Sequence, residues 1–130
     1  MSKMDTKLQN KLYKKYPKIF KQHSLSVQQS GMGWGILTGN GWYWLIDKLC
    51  ESIQSFIDNN PTKIPQIEAV EVKEKFGGLR FYIDGAPEEI HGMIHFAEDL
   101  SYDVCEVCGN PKKTSKLCKE CKKKKIIEAI

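Results

Sequence analysis

The chain has 130 residues, 41% of them hydrophobic, and a formal net charge of +4, which suits one ordinary domain with a real core, or one domain with a small metal-stapled appendix. Met1 to Thr6 starts no apolar run and no later run is long enough to cross a bilayer, so we expect neither leader peptide nor membrane contact, but a cytoplasmic chain with reduced thiols.

Residues 5–16 read as a basic helix, with Leu8, Leu12 and Tyr16 at i, i+4 and i+8, and Pro17 ending it. Residues 24–41 are glycine-rich and loop-like, with Ile36 and Leu37 as a short strand. From Trp42 to Ile57 the pattern is an amphipathic helix. Trp42, Leu45, Ile46, Leu49, Ile53, Phe56 and Ile57 share one face, and Asn59-Asn60-Pro61 stops it.

Residues 67–84 read as a β-hairpin turning at Gly77-Gly78, which pairs Phe76 with Leu79, Lys75 with Arg80, Lys73 with Tyr82 and Val72 with Ile83. Alternation then places Val70, Val72, Phe76, Leu79, Phe81 and Ile83 on one face. Glu71, Lys73, Lys75, Arg80 and Tyr82 fall on the other. Glu74 lands on the apolar face, which calls for a buried cation or a bulge there. Pro87 opens a helix to residue 102, with Ile90, Ile94, Ala97 and Ser101 in a stripe joined by Met93 and Phe96.

The last segment carries the sharpest chemical signal. Cys105-Glu-Val-Cys108 and Cys118-Lys-Glu-Cys121 are two C-x2-C loops separated by nine residues. Two such loops close a tetrahedron of thiolates, and the expected cofactor is one structural Zn2+ per chain on Cys105, Cys108, Cys118 and Cys121. A redox dithiol needs one such pair in a βαβ unit, and a catalytic zinc needs an open position that four thiolates do not leave. Cys50, on the apolar helix, reads as a buried inert thiol. Gly109 after Cys108 suits a knuckle turn, and Lys122 to Ile130 reads as a helix, so a treble clef is favoured over a zinc ribbon. The fold expected is α+β: residues 1–102 a small antiparallel sheet packed by two or three helices, residues 103–130 a zinc module packed on it.

Charge is uneven. Residues 1–23 carry seven Lys against one Asp (+6), residues 24–100 five basic against eleven acidic side chains (−6), and residues 101–130 eight Lys against four acids (+4). Four thiolates on one Zn2+ add about −2 to the last segment, so its lysines largely neutralise the metal site, which weakens a nucleic-acid inference from charge alone.

Val72-Lys-Glu-Lys-Phe-Gly-Gly-Leu-Arg-Phe-Tyr82, then Ala97-Glu98, Ser101 and Cys105-Glu106-x-Cys108-Gly109, with Gly41-Trp42 opening an apolar helix, resembles an uncharacterised family of small bacterial and phage proteins. The likeness covers residues 40–121. Many relatives close the second pair as C-x2-H, where this chain has Cys121, which still gives four ligands. The resemblance implies a bacterial or phage cytosolic setting and no activity to carry over.

Three places invite a ligand. Lys73, Lys75 and Arg80, with Tyr82 beside them, can hold a phosphate and stack a base, or simply pair across strands with Glu71 and Asp84. Gly31 to Trp44 combines close-approach glycines with Trp34, Trp42 and Trp44, or else anchors the core through Trp42. His91-x3-His95 has metal spacing, but Gly92 stands where an HExxH motif needs its Glu. No nucleophile elbow and no motif-spaced pair of carboxylates is present, so an enzyme is disfavoured. The expectation is a non-enzymatic, zinc-stabilised protein binding an anionic nucleotide-like small molecule or nucleic acid, such as a phage counter-defence factor. The alternative is an inhibitor- or immunity-type module whose −6 centre suits a basic protein partner. Oligomeric state is not legible in the sequence.

Overall fold

The computed structural model describes residues 3–112 together with Cys118 and Cys121. The helix expected over Lys122 to Ile130, and with it the treble-clef assignment, lies outside the described residues. Among the described residues the architecture is α+β: three helices on a three-stranded sheet, with the cysteine cluster at the C-terminal side.

Helix α1 (Thr6–Lys15) buries Leu12, and Tyr16 beyond its end is buried too. Its one buried polar side chain, Gln9, is fully engaged: Nε2 donates to the Met4 carbonyl at 2.6 Å, and Oε1 accepts from Tyr13 Oη at 3.0 Å and Ile36 N–H at 3.1 Å. This is how a polar group is tolerated in a core. The next element, β1 (Ile36–Leu37), runs parallel to β2 (Ala69–Lys75), pairing Ile36 with Val72 and Leu37 with Lys73. The sheet is therefore mixed, because β1 pairs with the hairpin from a distant part of the chain. Helix α2 (Tyr43–Asp58) follows a 3-10 turn over Asn40–Trp42 and buries Leu45, Ile46, Leu49, Cys50, Ile53 and Ile57.

β2 and β3 (Gly78–Ile83) form the expected hairpin in a different register. Lys73 pairs with Arg80, Val72 with Phe81, Glu71 with Tyr82 and Lys75 with Gly78. The turn is Phe76-Gly77, both with positive φ (54° and 85°), as a two-residue type I′ loop demands. Moving the turn back by one residue shifts every partner by two. A two-residue slip preserves side-chain parity, so the charged face keeps its predicted members. Phe76 is the casualty: expected in the core, it sits in the turn and is 78% exposed. The bulge lies between Ala69 and Glu71, not at Glu74. The Glu74 carboxylate instead accepts from Gly77 N–H at 2.6 Å, capping the turn.

Helix α3 (Glu88–Ser101) buries Ile90, Ile94, Ala97 and Ser101, while Phe96 is exposed, a correction to the predicted stripe. Glu88 and Glu89 in its first turn favour the positive end of the helix dipole. The helix also closes the outer edge of the sheet. Leu79 N–H donates to Ser101 Oγ at 2.8 Å, and Phe81 N–H to Glu98 Oε2 at 2.9 Å. A strand edge that would otherwise recruit another chain is satisfied by two side chains.

Candidate functional site

The C-terminal knuckle forms because the chain reverses tightly after Cys105. Gly109 N–H donates to the Cys105 carbonyl at 2.8 Å, Cys105 N–H to Asn110 O at 2.7 Å, and Val104 bridges Pro111 antiparallel. The sulfurs of Cys105, Cys108, Cys118 and Cys121 all lie within 4.8 Å of one another, with Cys108 and Cys118 at 3.4 Å. The edge of a tetrahedron with metal–sulfur bonds of 2.3 Å is about 3.8 Å, so the cluster has the dimensions of a four-thiolate metal site and can hold one ion. Among the described residues no other group of three or more His, Cys, Asp or Glu converges in this way. His91 and His95 are both exposed, and His95 faces Asp99 at 3.5 Å.

The thiols show why a cation belongs there. Burial pushes the Cys105 thiol up, but the backbone N–H groups of Cys118, Cys108 and Val107 outweigh it and bring it down to about 6. Burial and the neighbouring thiols push Cys121 up to about 12. Cys108 is raised as well, by burial first. Charge on Cys105 is thus set against ionisation of Cys108 and Cys121, a conflict that a bound cation would offset.

The knuckle is bolted to the core. Gly41 N–H donates to Glu106 O at 2.7 Å, Gly39 N–H to Glu106 Oε2 at 3.0 Å, and Trp42 Nε1 to Val104 O at 2.8 Å. Lys112, itself buried, donates through Nζ to Gly77 O at 3.3 Å, tying the knuckle to the hairpin turn. Gly41 is required by close approach: a Cβ there would collide with the Cys105 carbonyl oxygen. Trp42, offered as a ligand wall, is fully buried and serves this junction. Trp34 and Trp44 are exposed, one ending the 3-10 turn over Gly31–Trp34 and the other in the first turn of α2.

On the hairpin the predicted cluster assembles, with two ring partners, Phe76 and Tyr102, that sequence reasoning missed. Lys73 pairs with Glu71 at 3.3 Å and lies 5.8 Å from the Tyr82 ring centre. Lys75 lies 5.6 Å from the Phe76 ring. Arg80 donates through Nη2 to Tyr102 Oη at 2.9 Å and through Nη1 to Leu79 O at 3.0 Å, its guanidinium 5.9 Å from the Tyr102 ring. The Tyr102 hydroxyl, as hydrogen-bond partner, raises the arginine's already high pKa. Arg80 is thus held by a phenol and a carbonyl, not consumed by a carboxylate. Gly78 does not need positive φ; it is required because a Cβ there would strike the Tyr102 ring.

Two clefts flank this face, and Tyr82 borders both. One, of about 580 Å³, lies between β3 and α3 beside His91, Gly92 and His95. The other, of about 490 Å³, is lined by Gln22, Ser30, Gly31, Glu71 and Asp84. No tryptophan lines either. Among the described residues no helix is long and apolar enough to cross a membrane. No family model, no curated protein and no solved structure matches the chain.

Proposed function

We propose that this chain is a non-catalytic binding protein, stapled by Zn2+, that takes a nucleotide-like polyanion on the hairpin face, and that the ligand is single-stranded nucleic acid. One observation carries the reading. Each basic side chain of the face stands beside an accessible aromatic ring: Lys73 with Tyr82, Lys75 with Phe76, Arg80 with Tyr102. Cations that follow phosphates, interleaved with rings that stack bases, are the recurrent equipment of single-strand binders. The face is open, and the flanking clefts lack the tryptophan and arginine walls that an enclosed mononucleotide site would use. Zn2+ is the metal of choice because four thiolates at tetrahedral spacing suit a soft, redox-silent ion.

The test is anisotropy titration of a labelled oligo(dT) strand against the zinc-loaded protein across a salt series. Binding that weakens steeply with salt supports the reading, since phosphate contacts release counterions. Salt-independent binding, or none at low salt, sinks it. A second reading, a module for a basic protein partner, draws on the −6 charge of residues 24–100 and the exposed Phe96 of α3.

A further inference from the structure

We infer that Phe76, at the tip of the hairpin, is the stacking anchor of this face: it receives an unpaired nucleobase on its open ring while Lys75 and Arg80 hold the adjoining phosphates. The inference rests on the nucleic-acid reading above and names the residue on which that reading turns.

Two unfavourable features converge on Phe76. Its backbone sits at φ 54°, in the left-handed region where glycine, asparagine and aspartate are at ease and a bulky L-residue is strained. Its ring is 78% exposed, at a position where a polar side chain would lie in water without loss. The turn does not depend on the ring. It is held by the Glu74 carboxylate on Gly77 N–H, by Lys112 Nζ on Gly77 O, and by the Tyr102 ring packed flush on Gly78. Asn-Gly would make the same turn with less strain. A strained, exposed aromatic that the fold does not use points to a contact made with something else.

The surroundings choose the contact. The Lys75 ammonium lies 5.6 Å from the Phe76 ring centre, and Arg80 of the neighbouring strand, with Tyr102 from the end of α3, adds a second cation and ring. An apolar protein pocket would gain from the ring but would have to desolvate these charges. A nucleic-acid strand uses both, because every base offers a π face beside its own phosphate.

The test uses full-length, zinc-loaded protein, an oligo(dT) probe of about 20 nucleotides, and titrations at about 50 and about 200 mM salt, together with thermal unfolding. Phe76→Asn relieves the turn, so Tm should rise by a few degrees. It should also weaken binding roughly tenfold or more, by the same factor at both salts, because stacking releases no counterions. Phe76→Trp should retain binding. Arg80→Ala should weaken binding and flatten the salt slope. If Phe76→Asn binds as the wild type does while Arg80→Ala does not, the anchor is overturned and the nucleic-acid reading stands. If Phe76→Asn lowers Tm, the ring is structural and the inference falls. If the wild type binds no strand at the lower salt, both readings fall and the ring passes to protein contact.

Discussion

The knuckle and the hairpin face are both rich in charge and both built on short loops, yet they spend their polar groups differently. In the knuckle these groups turn inward. Glu106 receives two backbone N–H groups from the Gly39–Gly41 segment, Val104 receives the Trp42 indole, and four sulfurs face one point. On the hairpin the cations lean on rings near the surface, with Lys73 also paired to Glu71 and Arg80 bonded to the Tyr102 hydroxyl and the Leu79 carbonyl. The contrast shows that a motif-dense segment need not be a ligand site. Gly41, Trp42, Glu98, Ser101 and Glu106, all within the stretch that drew attention in the sequence, serve to lock one element onto another.

The largest effect should come from breaking the inward-facing site. Cys118→Ser removes a ligand needed to close the tetrahedron, and structural zinc contributes on the order of 10 kcal/mol in small metal modules. Metal content by elemental analysis should fall from one ion per chain to near none, and the knuckle amides should lose protection from hydrogen exchange. Retention of a full equivalent would show that the four cysteines are not the ligand set.

Next comes the junction. Gly41→Ala forces a methyl against the Cys105 carbonyl and should cost about 2–3 kcal/mol in denaturant unfolding, the scale of overpacking in a rigid interior. A neutral result would mean that the knuckle rides loosely on the core.

Arg80→Ala acts on the outward-facing region. Oligonucleotide affinity should drop by about 1.5–3 kcal/mol, the range for a hydrogen bond to a charged group, while Tm moves less than for Gly41→Ala. Equal losses in both would make Arg80 a structural residue.

The smallest effect concerns Cys50, a thiol outside both regions. It is fully buried, and burial holds its pKa well above the ordinary thiol value. Below the unfolded pKa near 9 the buried neutral thiol carries no penalty. As pH rises beyond that value the unfolded chain ionises and the folded one resists, so this residue's contribution to stability declines. Cys50→Ala should flatten that alkaline loss, leave metal content unchanged, and cost about 1 kcal/mol as a small cavity. In the folded wild type, iodoacetamide should spare Cys50.

Much of this was legible in the chain. The α1, α2 and α3 stripes follow from period 3.6, because burying one side of a helix requires apolar residues at that spacing, and Leu12, Ile46, Ile53 and Ile90 occupy the core as read. The two C-x2-C loops specify a four-sulfur cluster because short loops confine ligands geometrically wherever the rest of the chain goes. The composition of the charged hairpin face was also determined by the sequence, since strand parity survives a two-residue slip. The position of the turn was not. Glycine pairs allow the reversal at either of two places, and the choice fell to Glu74 capping Gly77 and Tyr102 lying on Gly78, contacts invisible to local pattern. That choice put Phe76 in water. The parallel docking of β1, the burial of Trp42 under Val104 and the phenol partner of Arg80 were likewise settled by tertiary structure, because each joins residues 22 to 62 positions apart, beyond the reach of any periodicity.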